Sequence, residues 1–124
     1  MIIGLGIDIV ELERIHQKVS RDNGFKEKVF SPAEIAFCER NVNSTENYAA
    51  RFAAKEAFLK ATGRGLTLGY DLKDIEVIND EMGKPFLQLN GVFKEFANQN
   101  NFTKFHVSLS HTKTAACAVV IIES

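Results

Sequence analysis

The sequence predicts an α+β fold in which a largely antiparallel sheet packs against one long helix. Two observations predict this class: helical patterns fill the first half of the chain, and pairs of strand-like runs fill the second half. The longest helical pattern extends from about Thr45 to Thr62 and ends at Gly63, a residue typical of helix C-termini. A length of 124 residues with 45% hydrophobic content suits a single domain covering residues 1–124.

The first predicted element is a β-branched strand from Ile2 to Val10 with two unlike faces. Large apolar side chains form one face: Ile3, Leu5, Ile7 and Ile9. The other face consists of Gly4, Gly6, Asp8 and Val10. A strand with one polar face can carry an aspartate by chance. Asp8 is nevertheless a candidate functional residue, because Asp disfavours strands and a carboxylate near a core needs a basic partner or a metal.

Capping chemistry defines the shorter helices. One helix is predicted from Glu11 to about Ser20, where the sequence "RDNG" ends it. The next begins after Ser31, since Pro32 suits the first helical position and Glu34 completes a capping box. This second helix is expected to run to about Arg40.

The second half of the chain contains two predicted hairpins and one short helix. The runs "DIEVIND" and "PFLQLN" are strand-like, and "EMGK" between them places Gly83 where a tight turn needs positive φ. A helix follows from Gly91 to about Gln99, and "KFHVSLSH" with "AACAVVIIE" forms the last hairpin around "TKT". The exposed edge of such a sheet is natural material for an oligomer interface.

Charge and composition exclude several classes of function. With 15 basic and 16 acidic residues the net charge is −1, which argues against general binding of nucleic acid or membranes. The first residues lack a basic leader and carry Asp8 inside the apolar run, so neither a signal peptide nor a membrane span is expected. Cys38 and Cys117 have no metal-site spacing and are expected to be free thiols. A cytoplasmic location is the corresponding expectation.

Glu56 is an unexpected charge on the apolar side of the long helix, four residues after Phe52. In the ordinary interpretation it forms an exposed i, i+4 pair with Lys60, which contributes little and does nothing functional. However, Arg51, Lys55, Glu56 and Lys60 interrupt a helix that is otherwise nearly all apolar. We therefore expect that helix to be buried on most sides and each of its charges to have a specific partner.

The remaining candidate functional residues are of types that bind phosphate groups. At the helix end, "KATGRG" places Lys60 and Arg64 beside the backbone amides of Gly63 and its neighbours, although Gly63 also serves as the helix terminator. The last hairpin carries His111 and Thr112 at its tip, where a lone histidine is usually a surface residue. Two carboxylates, several cations and no zinc-ligand cluster favour a Mg²⁺-assisted reaction on a phosphate or pyrophosphate.

Several segments, taken in order, resemble one known family. They are "GIDIVELERI", "FSPAEIAFCE", "RFAAKEAFLKATGRG", "GKPFLQL" and "HVSLSHTKTAACAVVIIE". The chain resembles the holo-acyl-carrier-protein synthase family, the short bacterial 4′-phosphopantetheinyl transferases, over nearly its whole length. The pairing of the first segment with the third is the most specific part of the resemblance.

The resemblance implies transfer of the 4′-phosphopantetheine arm of coenzyme A to a serine of acyl carrier protein, releasing adenosine 3′,5′-bisphosphate and activating the carrier for fatty acid biosynthesis. It implies that Asp8 and Glu56 hold Mg²⁺ and that Glu56 and Lys60 are catalytic. The resemblance does not identify the group that accepts the serine proton; our own hypothesis is Glu56, acting through a water. The implied coenzyme A contacts are Arg51, Lys60, Gly63, Arg64, Gly83, Lys84, Pro85, His111 and Thr112. A homotrimer with active sites at the subunit interfaces is implied as well.

A basic segment is the expected docking surface for the acidic carrier. From Arg14 to Lys28 the chain has five basic residues against two acidic ones. The implied docking residues are Arg14, Lys18, Arg21 and Lys28. A solvated helix face is the alternative. Relatives often have arginine where this chain has Gly24 and Lys28, so the resemblance is weaker at those positions.

Two other functions fit parts of the pattern. A Mg²⁺-dependent hydrolase acting on a nucleotide pyrophosphate would use the same carboxylates without a basic helix. A non-catalytic trimeric module would bind coenzyme A regardless of Mg²⁺ or Glu56.

Overall fold

The computed structural model describes residues 1–64 and 71–124. The elements in chain order are β1 (Ile2–Glu11), α1 (Leu12–Ser20), α2 (Phe25–Val29), α3 (Pro32–Glu39), α4 (Ser44–Thr62), β2 (Ile75–Asn79), β3 (Pro85–Leu89), α5 (Gly91–Gln99), β4 (Lys104–His111) and β5 (Ala115–Glu123). Each predicted helix and strand is present. Helix α2 was not predicted, because it is a single short turn of helix that follows directly on the "RDNG" stop signal.

The strands form two antiparallel sheets, with orders β1-β5-β4 and β2-β3. The predicted antiparallel pairing is correct, whereas the single predicted sheet is divided in two. Strand β3 lies against β4 without pairing to it, so the β2–β3 hairpin sits beside the larger sheet. Gly83 has φ +85° in the turn between β2 and β3, as its sequence context predicted.

Helix α4 packs along β1 and β5, and glycines on β1 set the distance between helix and strand. A Cβ built on Gly6 would lie 2.0 Å from the carbonyl oxygen of Ala57, and one on Gly4 would lie 2.2 Å from that of Ala61. Both contacts require a residue without a side chain. The glycine face of β1 is therefore its core face, and Asp8, two residues beyond Gly6, points toward the same helix.

The opposite face of β1 is exposed. Its side chains retain 44% to 71% of their accessible surface, and we call Ile3, Leu5, Ile7 and Ile9 the apolar sheet face. Half-buried Val119 and Ile121 lie opposite Ile7 and Leu5 on the neighbouring strand β5. A contiguous exposed apolar surface of this kind is typical of an interaction site. Within the described residues, no helix combines the length and apolarity needed to cross a bilayer.

A buried ion pair joins three elements behind α4. Lys55 Nζ lies 2.7 Å from Glu34 Oε1, and both side chains have no exposed surface. The same ammonium donates to the carbonyl oxygens of Leu72 and Ile75, while Glu34 accepts from the backbone N–H of Val77 and closes the predicted capping box with Ser31. Lys55 therefore has the specific partner that the sequence led us to expect.

Candidate active site

The two candidate metal ligands line one cleft. Asp8 reaches it from β1 and Glu56 from α4, and the cleft has a volume of about 500 Å³. The close contact at Gly6 explains why Asp8 and Glu56 lie near each other: Glu56 immediately precedes Ala57, whose carbonyl touches Gly6. Arg14 from α1 lines the same cleft, so a predicted docking residue lies next to the predicted metal site.

Lys60 forms an ion pair with Asp8. Its Nζ donates to Asp8 Oδ1 at 2.9 Å and to the carbonyl oxygen of Ile7 at 3.1 Å. The Asp8 side chain is only 16% exposed, whereas that of Lys60 is 57% exposed. The structure contains no ion pair between Glu56 and Lys60, so the ordinary i, i+4 interpretation was wrong. Lys60 crosses to the strand, where Asp8 and the backbone carbonyl of Ile7 together offer it two acceptors.

Glu56 is half-buried and makes no hydrogen bond or ion pair with any described residue. Burial raises the pKa of Glu56, the negative charge of Asp8 raises it further, and the positive charges of Lys60 and Lys18 oppose these effects. A partly desolvated carboxylate near a second carboxylate favours a cation between them. Hard oxygen ligands of this kind suit Mg²⁺, which is commonly held by one or two carboxylates with water and substrate phosphates in its other positions. Accordingly, no cluster of three or more metal-binding side chains occurs among residues 1–64 and 71–124.

A second cleft, of about 390 Å³, brings together most of the predicted coenzyme A contacts. Arg51 lines it from α4, and Gly83, Lys84 and Pro85 line it from the β2–β3 hairpin, with His111 at the end of β4. The turn is fixed by Asp80, whose Oδ1 accepts from the backbone N–H groups of Met82 and Lys84, each at 2.9 Å.

Arg51 is a buried cation with no anionic partner among the described residues. It is 2% exposed, and its guanidinium lies 4.3 Å from the centroid of the Phe37 ring. Its Nη2 donates to Asn79 Oδ1, its Nε has no hydrogen-bond partner, and it has no ion pair with a described residue. Burial lowers the pKa of Arg51. A desolvated guanidinium with free donor capacity is a ready site for a phosphate.

The remaining candidates lie at the ends of α4 and β4. Gly63 terminates α4 with φ +66°, as predicted, and Arg64 Nη2 donates to Asn100 Oδ1 at 3.0 Å. His111 Nδ1 lies 3.6 Å from Glu46 Oε2. The Thr112 hydroxyl accepts from the backbone N–H groups of Thr114 and Ala115, so it already stabilises the β4–β5 turn. The predicted glycine loop continues to Gly65, which lies outside the described residues.

One chain does not bring all these residues together. Arg51 and Glu56 are five residues apart on α4, which rotates their side chains by about 140° around the helix axis. Arg64 follows the helix end at Thr62, about 16 Å along the axis from Arg51. The Asp8 cleft and the Arg51 cleft are therefore separate within the monomer.

The predicted docking residues span two helices instead of one. Arg14 and Lys18 lie on α1 and Lys28 lies on α2, with Arg21 exposed between them. The Lys18 ammonium lies 5.5 Å from the centroid of the Phe25 ring, which joins the two helices. Sequence reasoning did not identify Asn79, because an asparagine before a turn carries no signal of its contact with Arg51.

Comparisons with known proteins show the family to which this chain belongs. The family model of the 4′-phosphopantetheinyl transferase superfamily matches residues 4–120. The chain is 48% identical to the holo-[acyl-carrier-protein] synthase of Syntrophus aciditrophicus over 124 residues, covering 99% of this chain and 97% of that protein.

Solved structures match in fold as well. The holo-[acyl-carrier-protein] synthase structure from Neisseria meningitidis superimposes with a TM-score of 0.89 at 29% identity, covering 100% of both chains. That of Helicobacter pylori in complex with coenzyme A gives 0.83 at 32% identity, covering 96% of this chain and 99% of that one. The sequence resemblance and the predicted fold class are thus confirmed, and the chain belongs to the 4′-phosphopantetheinyl transferase superfamily.

Proposed function

We propose that this chain transfers the 4′-phosphopantetheine group from coenzyme A to a serine of apo acyl carrier protein in a Mg²⁺-dependent reaction. The products are the activated carrier for fatty acid biosynthesis and adenosine 3′,5′-bisphosphate. The observation that carries the proposal is the meeting of Asp8 and Glu56 in one cleft beside Arg14, with Lys60 hydrogen-bonded to Asp8. Relatives named holo-[acyl-carrier-protein] synthase and structural neighbours containing coenzyme A support the choice of both substrates.

Asp8 and Glu56 are the residues that would hold Mg²⁺. They offer two hard oxygen donors in one cleft, and Glu56 has no competing partner among the described residues. When bound, the ion supplies Lewis-acid stabilisation of the negative charge on the pyrophosphate oxygens. Lys60, whose side chain is 57% exposed, neutralises charge on the transferred phosphate or the leaving group. Glu56 takes the proton of the attacking serine through a water.

In this proposal the Arg51 cleft binds the nucleotide end of coenzyme A, through Arg51, Gly83, Lys84, Pro85 and His111. The buried guanidinium of Arg51 favours a phosphate because it has no carboxylate partner among the described residues. Thr112, Gly63 and Arg64 complete the set from the two turns at the ends of β4 and α4.

A homotrimer accounts for the separation of these residues within one chain. In the proposed assembly, the Asp8 cleft of one copy faces the Arg51 cleft of the next, so that coenzyme A lies between them. The apolar sheet face supports association, since its exposed isoleucines would leave water on contact with another copy. A shared site also explains how so short a chain can enclose so large a substrate.

The carrier docks on α1 and α2 through Arg14, Lys18, Arg21 and Lys28. These cations form no ion pair with a described residue, so their charge is free to attract an acidic partner. Arg14 also lines the Asp8 cleft, which would place the docked carrier beside the reacting phosphate.

The decisive experiment is mass spectrometry of apo acyl carrier protein incubated with this protein, coenzyme A and Mg²⁺. We expect the carrier to gain one phosphopantetheine group, and we expect EDTA or Glu56→Ala to abolish the gain. Consumption of coenzyme A without modification of the carrier would contradict transfer and support a pyrophosphate hydrolase. Coenzyme A binding that persists in EDTA and in Glu56→Ala, without any turnover, would support a binding module.

The role of Glu56 in proton transfer needs a separate variant. Glu56→Gln retains an oxygen ligand but cannot accept a proton. With Mn²⁺ as the probe for the metal site, we expect Glu56→Gln to bind the ion more weakly than wild type. We also expect its turnover to be slow even when the metal is saturating. Normal turnover by Glu56→Gln with metal bound would contradict the assignment.

A further inference from the structure

Both arginines assigned to coenzyme A are held in the same way. Arg51 Nη2 donates to Asn79 Oδ1, and Arg64 Nη2 donates to Asn100 Oδ1. Each asparagine then donates its amide Nδ2 to a backbone carbonyl at 2.9 Å: Asn79 to Gly83, and Asn100 to Phe96. Neither arginine forms an ion pair with a described residue, so each guanidinium is positioned by a neutral group.

The lysines of α4 have carboxylate partners instead. Lys55 is paired with Glu34 at 2.7 Å, and Lys60 is paired with Asp8 at 2.9 Å. Burial therefore does not explain the neutral acceptor, because Lys55 is as buried as Arg51 and has a carboxylate. Lys60 is also expected to meet a phosphate, but its carboxylate partner Asp8 is itself a proposed metal ligand. The two arginines instead donate to neutral amides, which leaves their charge for the phosphates of coenzyme A.

An amide does what a carboxylate cannot do at this position. Its oxygen accepts from the guanidinium while its nitrogen donates to the carbonyl of Gly83, so one planar group joins α4 to the β2–β3 turn. An aspartate would accept from Arg51 and also neutralise it. It would have no donor for Gly83, and the resulting enclosed ion pair would compete with a phosphate for the guanidinium.

We propose that Asn79 is a positioning residue that aligns Arg51 with the Gly83–Pro85 turn and leaves the arginine charge uncompensated, thereby setting the affinity for coenzyme A. Asn100 has the same role for Arg64 at the end of α4. This inference rests on the proposed function, since it assumes that these arginines bind the phosphates of coenzyme A.

The central test is Asn79→Asp, which keeps the size of the side chain and its acceptor for Arg51. We expect KM for coenzyme A to rise at least about tenfold, as for loss of a charge-assisted hydrogen bond. The carrier KM and kcat should stay within about twofold, because the Asp8 cleft is untouched. The thermal midpoint should change little, since the new ion pair offsets the lost hydrogen bond to Gly83. A damaged fold would instead lower the midpoint and affect both substrates.

Matched variants separate this effect from added negative charge. Asn41→Asp is the control: the amide of Asn41 also donates to a backbone carbonyl, that of Phe37, but no arginine donates to its oxygen in the described part of the chain. It should leave KM for coenzyme A unchanged. In an Arg51→Met background, Asn79→Asp should have less than about a twofold further effect, because the charge that it would neutralise is gone.

Calorimetric titration of coenzyme A into each protein gives a readout that does not need turnover. Weaker binding by Asn79→Asp than by wild type would support the inference even if the transfer reaction itself failed. Equal affinity of wild type and Asn79→Asp, or an equal effect in the Arg51→Met background, would overturn it. If Asn79→Asp does not fold, Asn100→Asp beside exposed Arg64 gives the same comparison, with several-fold weaker binding expected and unchanged binding overturning the inference.

Discussion

Gly6→Ala tests whether the contact between β1 and α4 sets the geometry of the Asp8 cleft, the proposed catalytic site. The added Cβ would lie 2.0 Å from the carbonyl oxygen of Ala57, where ordinary contact begins at 3.4 Å, so strand and helix must separate by about 1.4 Å. Overpacking of this size typically lowers the free energy of unfolding by about 1–3 kcal/mol. The same displacement moves Asp8 away from Glu56 and Lys60, and a misplacement of about 1 Å can reduce turnover about 100-fold.

The assay combines urea unfolding with the rate of carrier modification. Gly91→Ala is the control, because its added Cβ would meet only the flexible end of Asp74 at 3.2 Å, while the positive φ of Gly91, +56°, makes any side chain there strained. The control should lose stability through backbone strain without losing kcat. A Gly6→Ala protein with wild-type kcat would refute the idea that the glycine contact positions the metal ligands.

Other variants test the buried pair, the thiols and the docking surface. Lys55→Met should lower the free energy of unfolding by about 3–5 kcal/mol, because Glu34 would remain buried without its cation; adding Glu34→Gln should recover part of this in urea titrations. Burial raises the pKa of Cys38 to about 12, so iodoacetamide at pH 8 should label it only after unfolding, as peptide masses would show; a label on the Cys38 peptide of the native protein, as opposed to half-buried Cys117, would contradict its burial. Arg14→Ala should raise the carrier KM more than the KM for coenzyme A, with a carrier affinity that falls steeply with salt; equal effects on both substrates would count against docking at α1.

Local signals predicted most of the fold. The capping box at Ser31 and the terminator Gly63 placed the ends of their helices closely, since each depends on hydrogen bonds or φ values within a few residues. Helix α2 was missed because five residues carry too little periodicity to be recognised. The division into two sheets also escaped prediction, because it depends on how β3 meets β4 across the molecule.

The candidate site was predictable by residue type but not by partner. An aspartate in an apolar strand and a glutamate in an apolar helix both indicated a functional role, and the structure places them in one cleft. The bond from Lys60 to Asp8 could not be predicted, because the sequence offers Glu56 as a nearer partner. Asn79 was missed for the same reason: its partners Arg51 and Gly83 meet only after α4 and the hairpin have packed.

Strand β1 contributes to two surfaces that inhibitors would ordinarily target separately. Its inner face fixes α4 through Gly4 and Gly6, and its outer face presents the exposed isoleucines. Because one backbone carries both, a compound that wedged against Leu5 and Ile7 and bent the strand would displace the proposed metal ligand Asp8 without entering the Asp8 cleft. Such an inhibitor would act through the same strand–helix contact that Gly6→Ala tests.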